Sequence, residues 1–257
     1  MAAKKAAGGS LETALDALKE RATQTTLDGM ARYAIPSERA WGVAMRDLQA
    51  VAKSLGKNHA LAAELWASRW YEARLLACYV DDPAAVTAKQ MDDWCQDFDN
   101  WAIVDTVCFA LFKRSPHAWP KVEAWASRTD EFQRRGAFAL IWALAGGDGD
   151  DKPFLRGLEL IEQAATDERN FVKKSVNMAL RATGRRSLSL HKAAVAVAKR
   201  LAVLDNPAAW WIGKDAQKGL ESPKVVHRGG NGQFGGICRS PLPHLHPPPG
   251  PPSLRPP

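Results

Sequence analysis

From about residue 10 to residue 220 the apolar residues recur at helical spacing, and alternation of period two, the mark of a half-buried strand, is almost absent. That pattern confines the chain to all-α folds. The spacing predicts helices over 10–24, 43–55, 59–67, 69–79, 88–96, 99–113, 116–127, 130–145, 152–165, 169–183, 188–204 and 207–220. Their starts are marked by a capping box at Thr87 and Gln90, by N-cap residues Asn58 and Asn206, and by Pro207 in a first turn. Gly56, Gly146 and Gly184 follow helical patterns and read as stops.

A dozen short helices joined by a few residues each favour stacked helical hairpins over a four-helix bundle. HEAT-like pairs of about 40 residues suit the spacing; a compact multi-helix globule is the alternative. No repeat consensus is legible, so element count and loop length carry this expectation. The body is taken as one domain, residues 1–221. The remainder, 222–257, holds 10 of the 16 prolines with no periodic apolar pattern, and is expected to be a disordered Pro/Gly-rich tail.

Composition narrows the function. The longest apolar run, Ala137 to Ala145, is far short of the roughly 20 residues that span a bilayer. No membrane span is predicted. The N-terminus lacks the apolar stretch of a secretory signal, so a cytoplasmic protein is expected. Cys78, Cys95, Cys108 and Cys238 form no CxxC pair, and neither they nor the histidines and carboxylates fall at metal-ligand spacing. Buried reduced thiols are the expectation, with no metal and no cofactor. Of the net charge of +7, Lys224, Arg228, Arg239 and Arg255 in the acid-free tail supply four units, which leaves +3 for the body. A mild excess makes the placement of the cations matter more than their number.

Three stretches carry side chains that core packing alone does not require. In "RNFVKKSVNMALRATGRR", residues 169–186, Val172, Val176, Ala179 and Thr183 share one helical face, while Lys174, Met178, Arg181 and Arg185 line another. That second face is either a solvated surface with a part-exposed methionine or a phosphate-facing strip with an apolar contact in its middle. In "DEFQRRGAFALIWALAGG", residues 130–147, Phe132, Gly136, Ala139, Leu140 and Ala143 can pack inward, leaving Arg134 and Arg135 near a helix start where a phosphate would also meet free N–H groups. Arg185, Arg186, Lys192, Lys199, Arg200, Lys214 and Lys218 would join them in one stripe if the hairpins stack with the same edge inward.

The third stretch is "DFDNWAIVDTVCFALFKR", residues 97–114, where Trp101 and Asp105 stand one turn apart. On a helical wheel Val104, Val107 and Leu111 centre the buried stripe, and Trp101 and Asp105 fall at its margin with Cys108 and Phe112. A carboxylate beside aromatic surface is costly unless paired or used. Spacing leaves both readings open: a rim aromatic with an inter-helix hydrogen-bond acceptor, or a functional pair.

These residues resemble the AlkD family of DNA alkylation repair glycosylases, from about Met30 to Leu220. The landmarks are "MARY" at 30–33, the Trp-to-Asp pairing in "NWAIVD", "FQRRGA" at 132–137 and, most specific, "RNFVKKSVNMALRATGRR". The resemblance implies HEAT-like helical repeats stacked into a curved solenoid with a concave basic groove for double-stranded DNA containing alkylated purines, the protein acting as a monomer. It matches Trp101 and Asp105 to the family's tryptophan and catalytic aspartate and Arg135 to its groove arginine. Arg134, Lys173, Lys174, Met178, Arg181 and Arg185 are the expected DNA-binding residues. The family's second groove tryptophan falls at Met178, and Asn100 and Ala102 differ from the residues that often flank the first one.

What the resemblance implies is hydrolysis of the N-glycosidic bond of N3- or N7-alkylated purines. Such bases are cationic and leave neutral, so the general acid of ordinary glycoside hydrolysis is unnecessary. Asp105 would stabilise developing charge on the deoxyribose and orient water, Trp101 would pack on the sugar, and Arg135 would hold a phosphate. Two other classes stay open: a DNA-binding protein without glycosylase activity, to which Met178 points, and a protein-interaction scaffold.

Overall fold

The computed structural model describes residues 9–222; Cys238 and the Pro-rich segment beyond Ser222 lie outside the described residues. Thirteen α-helices make up the described chain: α1 Leu11–Lys19, α2 Gln24–Met30, α3 Met45–Leu55, α4 His59–Ala67, α5 Tyr71–Val80, α6 Ala88–Gln96, α7 Trp101–Ala110, α8 Ala118–Ala126, α9 Glu131–Ala145, α10 Lys152–Ala164, α11 Asn170–Gly184, α12 Leu188–Leu201 and α13 Pro207–Leu220. Short 3₁₀ turns occupy Ala31–Tyr33 and Phe112–Arg114. The expected N-caps form: Asn58, Thr87 and Asn206 accept from the backbone N–H groups of Leu61, Gln90 and Ala209.

Two expected helices are divided. The stretch 10–24 ends as α1 at Lys19 and restarts as α2, because Ala22 makes an isolated antiparallel bridge to Val43. Thr23 N–H donates to the Gly42 carbonyl at 3.0 Å. Gly42 is needed there: its φ is +79°, and a Cβ would lie 2.5 Å from the Thr23 oxygen. The stretch 99–113 stops at Ala110, where Leu111 leaves helical geometry and both Leu111 and Phe112 become fully buried. Gly56 ends α3 with positive φ as expected, whereas Gly146 keeps right-handed geometry and Gly184 remains the last residue of α11. Gly184 answers to space: a Cβ would sit 2.6 Å from Leu220 Cδ2 and 2.9 Å from Ala194 Cβ.

The helices stack in two layers. The odd-numbered helices α3, α5, α7, α9, α11 and α13 each pack on the next, and α4, α8, α10 and α12 cover them from one side, with α1 closing the N-terminal end against α3, α4 and α5. This is the tandem-hairpin arrangement that short connections favour. Between the layers lies one apolar core, which includes the stacked rings of Trp66 and Trp94 at 4.0 Å and the buried Trp125 against Phe98 and Phe112. Cys78, Cys95 and Cys108 are buried free thiols within it. Among the described residues no helix is long and apolar enough to cross a membrane.

Candidate functional site

The site is built on three consecutive helices of the odd layer. Asn100 caps α7, its Oδ1 accepting from the N–H groups of Ala102 and Ile103 at 3.0 Å each, while its Nδ2 donates to Asp99 at 2.7 Å. Capping puts Trp101 in the first turn, half-buried, with its indole Nε1 donating to the Tyr33 carbonyl at 2.7 Å. The "MARY" segment and Trp101 are thus joined directly.

One turn further on, Asp105 is only 2% exposed. Both of its oxygens are taken by Arg135 of α9, Nε to Oδ1 at 3.0 Å and Nη2 to Oδ2 at 2.7 Å. The remaining Nη1 donates to the Phe171 carbonyl at the start of α11 at 2.8 Å, and Ser175 Oγ of α11 donates to the Arg135 carbonyl at 3.0 Å. A forked guanidinium on a carboxylate is the strongest of the ordinary charged pairings, and here it ties α7, α9 and α11 together. Burial pushes the Asp105 carboxyl above the usual carboxylate range, while the Arg135 charge and hydrogen bonds pull against that rise. The helical wheel put Asp105, Cys108 and Phe112 at a margin, but all three are buried, because α9 covers the face of α7 that the wheel left open.

Around this pair the basic residues divide. Arg134 pairs with Asp167 at 3.0 Å, and Asp167 also receives Arg169. Lys174 of α11 has no ion pair among the described residues; burial, then the nearby charges of Arg135 and Lys173, hold its ammonium below the usual lysine range. Lys173 lies over the Trp211 ring of α13 at 5.4 Å. Met178, half-buried, follows one turn after Lys174, and Arg181 pairs with Asp215 of α13 at 3.1 Å. Arg185 is exposed and without an ion pair among the described residues.

The single basic stripe does not form. Arg186 is buried and bound to Asp151 and to the carbonyls of Gly147 and Gly149, and Arg200 and Lys199 pair with Glu162 and Glu221. Lys192, Lys199 and Arg200 belong to α12 of the covering layer, whereas Lys214 and Lys218 belong to α13 of the odd layer. The uncompensated charge near the Asp105–Arg135 pair is therefore carried mainly by Lys174 with Lys173 beside it, while Arg185 stands at the far end of α11. Trp211 and Asp215, which engage Lys173 and Arg181, carried only a weak signal: a Trp-Trp pair at 210–211 and a lone acid within a basic helix.

Stacked helical hairpins with a charged constellation on one layer define a HEAT-like repeat protein. A solved structure of a family related to the HEAT-like repeat DNA glycosylases, with affinity for branched DNA structures, superposes with a TM-score of 0.68 at 22% identity, over 82% of this chain and 95% of that one. A structure of an engineered protein aligns over 84% of this chain and 86% of its own, but its TM-score of 0.38 and 15% identity are too low to bear on the fold. Among curated proteins none matches significantly. Residues 14–208 match the family model of the DNA alkylation repair enzymes, and the chain belongs to that family.

Proposed function

We propose that this chain is a DNA glycosylase that removes cationic N3- or N7-alkylated purines from duplex DNA, with Asp105 as its charge and Trp101 as its wall. The observation that carries this reading is a buried carboxylate one turn along α7 from a half-buried indole, closed by Arg135, with the unpaired ammonium of Lys174 near that guanidinium. In the reaction the C1′–N bond breaks with its electron pair going to the cationic base, which leaves neutral. Water then adds to C1′ and gives up a proton. Asp105 stabilises the positive charge that develops on the sugar, an effect that grows where bulk water is excluded.

The closed Asp105–Arg135 pair gives Arg135 a second task. A backbone phosphate reaching the guanidinium competes with Asp105 for the same donors, and surrender of one of the two bonds frees a carboxylate oxygen to face the sugar. The Lys174 charge beside Arg135 favours the arriving phosphate. DNA binding and unmasking of the carboxylate are coupled in this scheme. Arg134, Lys173, Arg181 and Arg185 serve as further phosphate contacts, and Met178 provides apolar contact without an indole.

A second reading is a DNA-binding protein that leaves bases in place. It draws on the sealed carboxylate, on Met178, and on the structural neighbour's affinity for branched DNA. Chromatography of free base from DNA treated with a methylating agent separates the two readings. The glycosylase reading expects release by the native protein and loss of release in Asp105→Asn with its helical circular dichroism intact; binding with no release by either protein supports the second.

A further inference from the structure

A cavity of about 320 Å³ lies between the segment 36–39, the start of α5 and the first turn of α7. That volume is at the small end of ligand pockets. Arg39, Arg69 and Arg74 line it together with Tyr71, and Asn100 and Ile103 on either side of Trp101 form its inner wall. Arg74 is 5% exposed; its Nη1 donates to the Asp97 carbonyl and to Asp99, while its buried Nε has no hydrogen-bond partner among the described residues. Arg39 and Arg69 are exposed and form no ion pair among the described residues, and the Tyr71 hydroxyl has no hydrogen-bond partner there.

The rim is preorganised. Glu72 accepts from the backbone N–H groups of Trp41, Gly42 and Val43 at 3.1, 2.7 and 3.2 Å, and the Arg39 carbonyl accepts from Tyr71 N–H at 2.8 Å. Trp41 stacks on Trp70 at 4.4 Å, with Arg39 over the same Trp70 ring. Arg69, which lines the cavity, holds φ +62°, a left-handed backbone that glycine would adopt more readily. Among the charged residues lining the cavity, Asp99 is already paired with Arg74, which leaves Glu38 as the one acid without an ion pair against the guanidiniums of Arg39 and Arg69, which have none either, and the Tyr71 hydroxyl. A ligand here meets a surplus of donors and of positive charge.

We propose that this cavity binds a phosphate group. Two planar guanidinium forks and a hydroxyl suit an anion with several acceptor oxygens better than a two-oxygen carboxylate. Asn100 and Ile103, the α7 cap and first turn that also carry Trp101, line the cavity and make a phosphate of the bound DNA strand the first source, which rests on the DNA-binding reading; a free phosphate ligand shares the same chemistry.

The test compares the native protein with the Arg39→Ala, Arg69→Gly double variant, in which glycine keeps the left-handed backbone, and with Tyr71→Phe, which removes only the hydroxyl. Binding of a short undamaged duplex is followed by fluorescence anisotropy across salt concentrations, and binding of inorganic phosphate by calorimetry. A slope of log affinity against log salt shallower by about one in the double variant assigns a DNA phosphate to the cavity. An unchanged slope, with inorganic phosphate bound by the native protein and weakened in both variants, assigns a free phosphate ligand and upholds the site. Unchanged slopes with no difference in phosphate binding overturn the proposal. Base release measured on the same native sample keeps the two ideas apart, since its absence would defeat the glycosylase reading and leave the salt comparison interpretable.

Discussion

Asp105 and Arg135 are each nearly inaccessible, and neither can lose its partner cheaply. Removing one member of a buried pair strands the other charge, at a cost of about 3–5 kcal/mol, whereas replacing both by apolar side chains is often neutral or better. Arg135→Met should therefore lower stability by about that amount in urea melts. The double replacement Asp105→Leu, Arg135→Met should recover most of the loss and still release no base. Recovery of stability without recovery of activity separates the structural role of the pair from its proposed chemical one. The raised Asp105 carboxyl adds a pH signature. Asp105 must be ionised to stabilise a sugar cation, so base release should begin to fall at a higher pH on the acid side than an ordinary carboxylate would allow, as a pH–rate profile would show. Helical spacing was enough to single out Trp101 and Asp105 and to leave open an inter-helix acceptor role for the carboxylate. It could not reveal that Arg135 comes from α9 to close over it, because that depends on how two helices face one another and not on either helix's own period.

At the scale of elements, caps and apolar periods located nearly every helix, and the places where they failed share a cause. Ala22 and Thr23 leave the first helical pattern to meet Val43 and Gly42, contacts some twenty residues away that no local pattern contains. Gly184 reads as a stop and α11 does end there, but the glycine answers to α12 and α13, which leave no room for a side chain at that point. Gly213 in α13 is tighter still: a Cβ would lie 2.3 Å from Ala202 N and 2.6 Å from the Ala198 oxygen, both backbone atoms that cannot swing aside. Gly213→Ala should destabilise by about 1–3 kcal/mol through overpacking despite alanine's better helix propensity. Equal or higher stability in thermal melts would mean that α12 and α13 are not packed as closely as the structure has them. Arg186 illustrates the same limit for charge. Its sequence neighbourhood is that of a surface cation, yet its guanidinium is buried against the Phe154 ring and bonded to carbonyls after α9.

Across the whole molecule, ion pairs stitch successive hairpins together. Lys121 and Arg128 meet Asp92 between α8 and α6, Arg134 and Arg169 share Asp167, and Arg200 of α12 reaches Glu162 of α10. Burial works against the charge of Asp92 and of Asp167, but their cationic and hydrogen-bonding partners outweigh it and hold both carboxyls below the usual range; hydrogen bonds from Arg200 do the same for Glu162. A carboxyl whose folded pKa is depressed stabilises the fold above its unfolded pKa, near 4, and loses that contribution as pH falls through the folded value. Urea midpoints should thus hold from neutral pH to about 5 and drop on further acidification, and a flat response there would mean that these pairs add nothing. The same layered arrangement carries Trp101, the Asp105–Arg135 pair and Lys174 on the neighbouring helices α7, α9 and α11, and the family assignment makes DNA the partner to test against it. On the proposed function, this chain, with a methionine at position 178, uses Asp105 to cut the glycosidic bond of a cationic base. Quantifying free N7-methylguanine and N3-methyladenine released from methylated duplex DNA tests it most directly. Release by the native protein that disappears in a folded Asp105→Asn variant is the predicted result, and equal release by the two proteins, or none by either, would contradict it.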